Sequence, residues 1–116
     1  MTKILVVDDD AEMTKLLDTF LTGEGHEVLI ATDGALAVRA TSSMEPDLVL
    51  LDIVLGSEDG RDVLRELRLI SDVPVIFLTG RGLESERMID VTDKLKTERA
   101  RLDLQTRAEA TAHKRQ

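Results

Sequence analysis

At 116 residues and 42% hydrophobic content, the chain has the size and apolar fraction for one compact domain with a single core. It has no cysteine, which excludes disulfides, thiolate metal sites and thiol nucleophiles, and its only aromatics are Phe20 and Phe77, which argues against stacking on nucleic-acid bases. The net charge of −8 is uneven: residues 1–90 hold 19 of the 23 Asp and Glu but 8 of the 15 Lys and Arg, whereas residues 91–116 are net basic, so the body disfavours direct nucleic-acid contact.

Apolar runs are short, and no basic-then-apolar leader opens the chain, so the expectation is a cytoplasmic protein that neither enters nor crosses a membrane. In chain order, "ILVV" (Ile4–Val7) is the first predicted strand and runs directly into Asp8, Asp9 and Asp10. A helix is predicted over Ala11–Glu24, with Met13, Leu16, Leu17, Phe20 and Leu21 on one face and a stop at "GEG". His26 is expected to face solvent in the turn that follows. "EVLIA" (Glu27–Ala31) reads as a weaker strand, and Gly34–Met44 as a second helix. "LVLL" (Leu48–Leu51) is a strand ending at Asp52; "GSEDG" (Gly56–Gly60) then reads as a mobile loop, with Gly60 permitting a turn that a side chain would resist. The third helix, Gly60–Leu69, has the stripe Val63, Leu64, Leu67 and Ile70. "PVIFL" (Pro74–Leu78) is the last predicted strand and leads to Thr79 and Gly80.

The strong strands are continuously apolar rather than alternating, which suits strands buried on both faces of a parallel sheet. Strands and helices alternate throughout, predicting an α/β fold of the doubly wound parallel type. In such a sheet the strand C-terminal ends share one edge, and ligands bind there. Asp8, Asp9, Asp52 and Thr79 all fall at that edge.

Two carboxylates about 4 Å apart repel by roughly 4 kcal/mol at an effective dielectric near 20. A divalent cation removes that cost, and Mg²⁺ prefers oxygen ligands, typically one or two carboxylates with a phosphate oxygen. Asp8, Asp9 and Asp52 are therefore read as a metal cradle; the competing reading makes Asp8, Asp9 and Asp10 caps of the following helix, and for Asp10 capping is the preferred one.

The segments "LVVDDD" (Leu5–Asp10), "DLVLLDIVLGSEDG" (Asp47–Gly60) and "VPVIFLTG" (Val73–Gly80) resemble the receiver domain of two-component response regulators. The resemblance covers residues 3 to about 90. It implies a flavodoxin-like sheet, Asp52 as phosphoacceptor, Asp8, Asp9 and Asp52 with the Val54 carbonyl as Mg²⁺ ligands, Thr79 as a partner of the phosphoryl group, and a histidine kinase or phosphotransfer protein as donor. It implies a signalling protein and not an enzyme. A Mg²⁺-dependent phosphatase is disfavoured, because Val54 stands where such enzymes place a second carboxylate.

Beyond Thr79 the sequence departs from the family. No strand ending in Lys-Pro follows, so the incomplete sheet would lack its last strand-helix unit; Lys94 and Lys96 fall in a helical pattern, and Arg81 reads as loop. From Glu84 onward there is no Gly or Pro, and helix formers dominate. A helix over residues 83–115 would be roughly 50 Å long. Met88, Val91, Leu95 and Leu102 recur at heptad spacing, with Leu104, Ala108 and Ala112 in a shifted register. The chain thus divides into a receiver-like domain over 1–90 and a helical segment over 91–116 that forms a homodimeric coiled coil, or alternatively stays solvated. "IDVTDKLKTERARL" (Ile89–Leu102) also resembles the linker after PAS sensor domains, which suggests a junction at Asp90 and Thr92. His113 lacks the flanking residues of a kinase phosphoacceptor and reads as a surface histidine. Two functions remain open: a Mg²⁺-dependent phosphoacceptor switch, and a degenerate receiver acting as a constitutive interaction module.

Overall fold

The computed structural model describes residues 2–78. In chain order the elements are β1 (Lys3–Val7), α1 (Ala11–Gly23), β2 (Glu27–Ala31), α2 (Gly34–Met44), β3 (Leu48–Asp52), β4 (Val54–Leu55), β5 (Glu58–Asp59), α3 (Gly60–Arg68) and β6 (Val75–Leu78). The expectations for Thr79, Arg81, Lys94, Lys96, His113, the missing last unit, the coiled coil and the linker fall outside the described residues.

The main sheet has the order β2-β1-β3-β6, and each neighbouring pair is parallel. β1 and β3 are central, so both of their faces must be apolar; this is why they read as unbroken runs. At the edge, β2 leaves Glu27 and Ile30 exposed, which explains its weaker signal.

Alternation along the strands sends neighbouring residues to opposite faces. Ile4, Val6, Leu48, Leu50, Ile76 and Leu78 pack with Met13, Leu17 and Leu21 of α1. On the other face, Leu5, Val7, Val49 and Leu51 pack with Ala37 of α2 and with Val63 and Leu67 of α3. The helix faces are narrower than their sequence patterns predicted. Leu16 lies off the Met13–Leu17–Leu21 line and is exposed, while Ile70 falls past the end of α3 and is half exposed.

Each described helix opens on an aspartate cap. Asp10 accepts from the Glu12 and Met13 amides, Asp33 from Leu36 and Asp59 from Arg61. Asp10 thus starts α1, as its sequence position predicts.

Two local readings need correction. His26 is buried, not solvent-facing: its N–H donates to the Leu21 carbonyl at 3.0 Å and the next amide, Glu27, donates to Thr2 at 2.9 Å, drawing residue 26 onto the sheet margin. The "GSEDG" stretch is no plain loop, because Val54–Leu55 and Glu58–Asp59 pair antiparallel around a Gly56–Ser57 turn. Gly56 has φ +61°, a conformation glycine adopts without a Cβ penalty.

Candidate functional site

Register alone brings the first two acidic residues together. Val7 lies opposite Leu51 in the β1–β3 ladder, so the next residues, Asp8 and Asp52, emerge side by side at the C-terminal edge of the sheet. Asp8 is fully buried, Asp52 is 4% exposed, and Asp9 stands on the exposed rim. One carboxylate oxygen from each of Asp8, Asp9 and Asp52 lies within 4.8 Å of the others.

Local hydrogen bonds aim two of these groups. Asp8 Oδ1 accepts from the Asp10 amide at 2.9 Å, a turn that fixes the carboxylate at the strand tip. Asp52 Oδ1 accepts from the Val54 amide at 3.0 Å. Val54 therefore sits directly against Asp52, as the first residue of β4, and is half exposed. The Ile53 amide donates to Leu78 at 3.2 Å, and Leu78 lies opposite Asp52 in the β3–β6 ladder. Thr79, the next residue, is not among those described.

Gly60 is held by close approach and not by a glycine-only dihedral. Its φ is not positive, yet an added Cβ would fall 2.2 Å from the Asp52 carbonyl oxygen and 2.9 Å from Ile53 Cα. The Gly60 amide also donates to Ile53 at 2.7 Å. The start of α3 is thereby pressed against the backbone that carries the candidate acceptor.

The hairpin brings two further contributors; the sequence placed the Gly56–Gly60 stretch beside the candidate acceptor but missed the reach of Glu58. A Cβ on Gly56 would lie 3.5 Å from Asp9 Oδ2, so the turn of the small hairpin rests beside the acidic cluster. Glu58, in β5, reaches the start of α2, where its Oε1 accepts from the Gly34 amide at 3.1 Å. No periodic pattern links residues 24 positions apart, so the sequence held no signal for that contact. An open hollow of about 280 Å³ flanks the hairpin, lined by Ile53, Val54, Ser57 and Arg61 among others, but none of the three aspartates borders it. Its edge carries the Asp59–Arg61 ion pair at 2.9 Å, and the Arg61 side chain, then its amide, hold the Asp59 carboxyl below its usual range.

Chemically, three ionised carboxylates this close repel by roughly 3 to 4 kcal/mol per pair at an effective dielectric near 20. Two are buried, which raises the cost of leaving their charge uncompensated. An all-oxygen donor set with one solvent-facing member suits a small hard cation that retains some of its water. The donors present therefore fit Mg²⁺.

A family model described as the response regulator receiver domain matches residues 4–96. The transcriptional regulatory protein CpxR of Klebsiella pneumoniae is 47% identical over 89 residues, which are 77% of this chain and 38% of CpxR. The DNA-binding response regulator MtrA of Mycolicibacterium paratuberculosis is 46% identical over 91 residues, 72% of this chain and 40% of MtrA. A solved complex of histidine kinase ThkA with the response regulator protein TrrA contains a chain with a TM-score of 0.70 and 30% identity, covering 84% of this chain and 97% of its own. The chain belongs to the response regulator receiver domain family, whose members act in two-component signalling. It spans about two fifths of the length of the curated relatives it matches. No described helix is long and apolar enough to cross a membrane.

Proposed function

We propose that this receiver is a Mg²⁺-dependent phosphoacceptor with Asp52 as the acceptor and Asp8, Asp9, Asp52 and the Val54 carbonyl as the protein's contribution to the metal site. The observation that carries this reading is the meeting of Asp8, Asp9 and Asp52 within 4.8 Å at the ligand-binding edge of the sheet. Bound Mg²⁺ would supply charge neutralisation at the phosphoryl oxygens.

The remaining roles belong to the chain. A carboxylate oxygen of Asp52 attacks the phosphorus of a phosphohistidine donor; the new O–P bond forms as the P–N bond breaks, and the imidazole leaves with the bonding electron pair. The Val54 amide, donating to Asp52 Oδ1, orients the carboxylate. Thr79 follows the residue paired with Asp52, which supports its assignment as a phosphoryl partner.

The donor is a histidine kinase or phosphotransfer protein, a reading supported by the kinase–regulator complex among the structural neighbours. The relatives named as DNA-binding match this chain over two fifths of their length, and the acidic body over residues 1–90 disfavours placing a DNA contact there. The output is transmitted through a dimerising helix over residues 91–116, and the protein is cytoplasmic.

A second reading, a receiver that binds partners without phosphorylation, is favoured by the lack of a Lys-Pro strand end in the sequence after residue 78. Incubation of the parent chain and Asp52→Asn with Mg²⁺ and a small acyl phosphate, followed by intact mass measurement, separates the two. A phosphate adduct on the parent alone is expected. No adduct on either protein would leave the interaction module as the function.

A further inference from the structure

Glu58 takes no part in the phosphoacceptor chemistry, yet its contact is built from both sides. The Gly34 amide is one of those a helix leaves without an internal partner at its first turn. Asp33, the cap of α2, serves Leu36 instead, and Glu58 Oε1 supplies the acceptor for Gly34. A carboxylate is favoured at that end of a helix. A Cβ at Gly34 would fall 2.6 Å from Glu58 Oε2 and 2.9 Å from Val63 Cγ2, so the absence of a side chain is what admits the carboxylate.

The hairpin that carries Glu58 is small: Val54 pairs with Asp59 and Leu55 with Glu58. A two-stranded pair of that length has no independent stability. Its position depends on its anchors. At one end the Val54 amide holds Asp52 and the Gly56 turn rests beside Asp9; at the other, Glu58 grips α2.

We infer that Glu58 is a positioning residue: by seating its carboxylate on the Gly34 amide it clamps the hairpin of residues 54–59 against the Asp8–Asp9–Asp52 pocket and so sets that pocket's affinity for a divalent cation. The effect on affinity rests on the Mg²⁺ reading above; the clamp itself does not. Coupling of this kind is reciprocal, so a cation in the pocket also tightens the clamp.

The rival explanation is long-range attraction between the Glu58 charge and the cation. Three variants of the full chain separate them. Glu58→Gln keeps an acceptor and loses the charge, Glu58→Ala loses both, and Gly34→Ala keeps the charge while displacing the carboxylate from the amide. Mg²⁺ affinity is measured by calorimetry and amide exchange at Gly34 and residues 54–59 by NMR, with a urea unfolding curve to verify that each variant is folded. Glu58→Gln is expected within about twofold of the parent, whereas Glu58→Ala and Gly34→Ala weaken Mg²⁺ by roughly fivefold or more and speed exchange at the hairpin. Equal weakening in Glu58→Gln and Glu58→Ala, with Gly34→Ala like the parent, would show charge alone and overturn the clamp. A parent that takes up no Mg²⁺ sinks the phosphoacceptor reading instead; hairpin exchange then decides the clamp by itself, and unchanged exchange in Glu58→Ala rejects it.

Discussion

Asp52 and Gly60 show how much of the site depends on single atoms. The backbone of Asp52, the proposed acceptor, is hemmed in by α3, since a methyl group at position 60 would fall 2.2 Å from the Asp52 carbonyl oxygen. That neighbour is main chain in the central sheet, so it cannot swing aside as the tip of a flexible side chain would. Gly60→Ala is therefore expected to cost about 2 to 3 kcal/mol, at the upper end of overpacking effects, by the midpoint of a urea unfolding curve. The same displacement moves Asp52, so the variant should also form its phosphate adduct more slowly in the mass assay. A variant as stable and as reactive as the parent would show that the approach of α3 places no constraint on the acceptor. The sequence singled out Gly60 as a place where a side chain would be resisted, and the structure adds what resists it, the main chain of Asp52 and Ile53.

Among the elements, the helix ends were the most legible. Asp10 could be read as a cap because an acidic residue preceding a periodic apolar run has a local meaning. Helix α2 ends less favourably. Its C-terminal cap, Glu45, has φ +48° and is the only described non-glycine residue with positive φ. Glycine takes that conformation without the Cβ clash that other residues suffer. Replacing Glu45, an exposed residue, with Gly should stabilise the protein by about 0.5 to 1 kcal/mol after allowance for the greater freedom of glycine in the unfolded chain. A raised urea midpoint at unchanged slope is the expected result. The short β4–β5 pair was not legible: with two residues per strand it has no periodicity to detect, and it forms where the neighbouring α2 and β3 give it anchors. His26 escaped for a related reason, since its burial follows from how the chain returns to the sheet after α1.

For the molecule as a whole, the question is how the receiver's state leaves the domain. The basic, Gly- and Pro-free segment from residue 91 onward has apolar residues at coiled-coil spacing, and the proposed output through it requires a second copy. Sedimentation of the full chain over a range of concentrations is expected to show a monomer–dimer equilibrium. Sedimentation as a monomer at every concentration would remove the dimeric helix from the account and leave transmission to surfaces of the receiver itself.

The sequence by itself determined the α/β class, the parallel sheet, the strand and helix order over residues 3–78 apart from the short β4–β5 pair, and the aspartates at the strand ends, because each is written in local features: unbroken branched runs, helical periodicity, and acidic residues at the points where those runs stop. Only the tertiary structure decided that Asp8, Asp9 and Asp52 meet within 4.8 Å, that Gly60 is shaped by the Asp52 carbonyl, and that Glu58 reaches the amide of Gly34. Those contacts join residues tens of positions apart. Strand register and helix packing fix them, and neither leaves a mark on the residues in between.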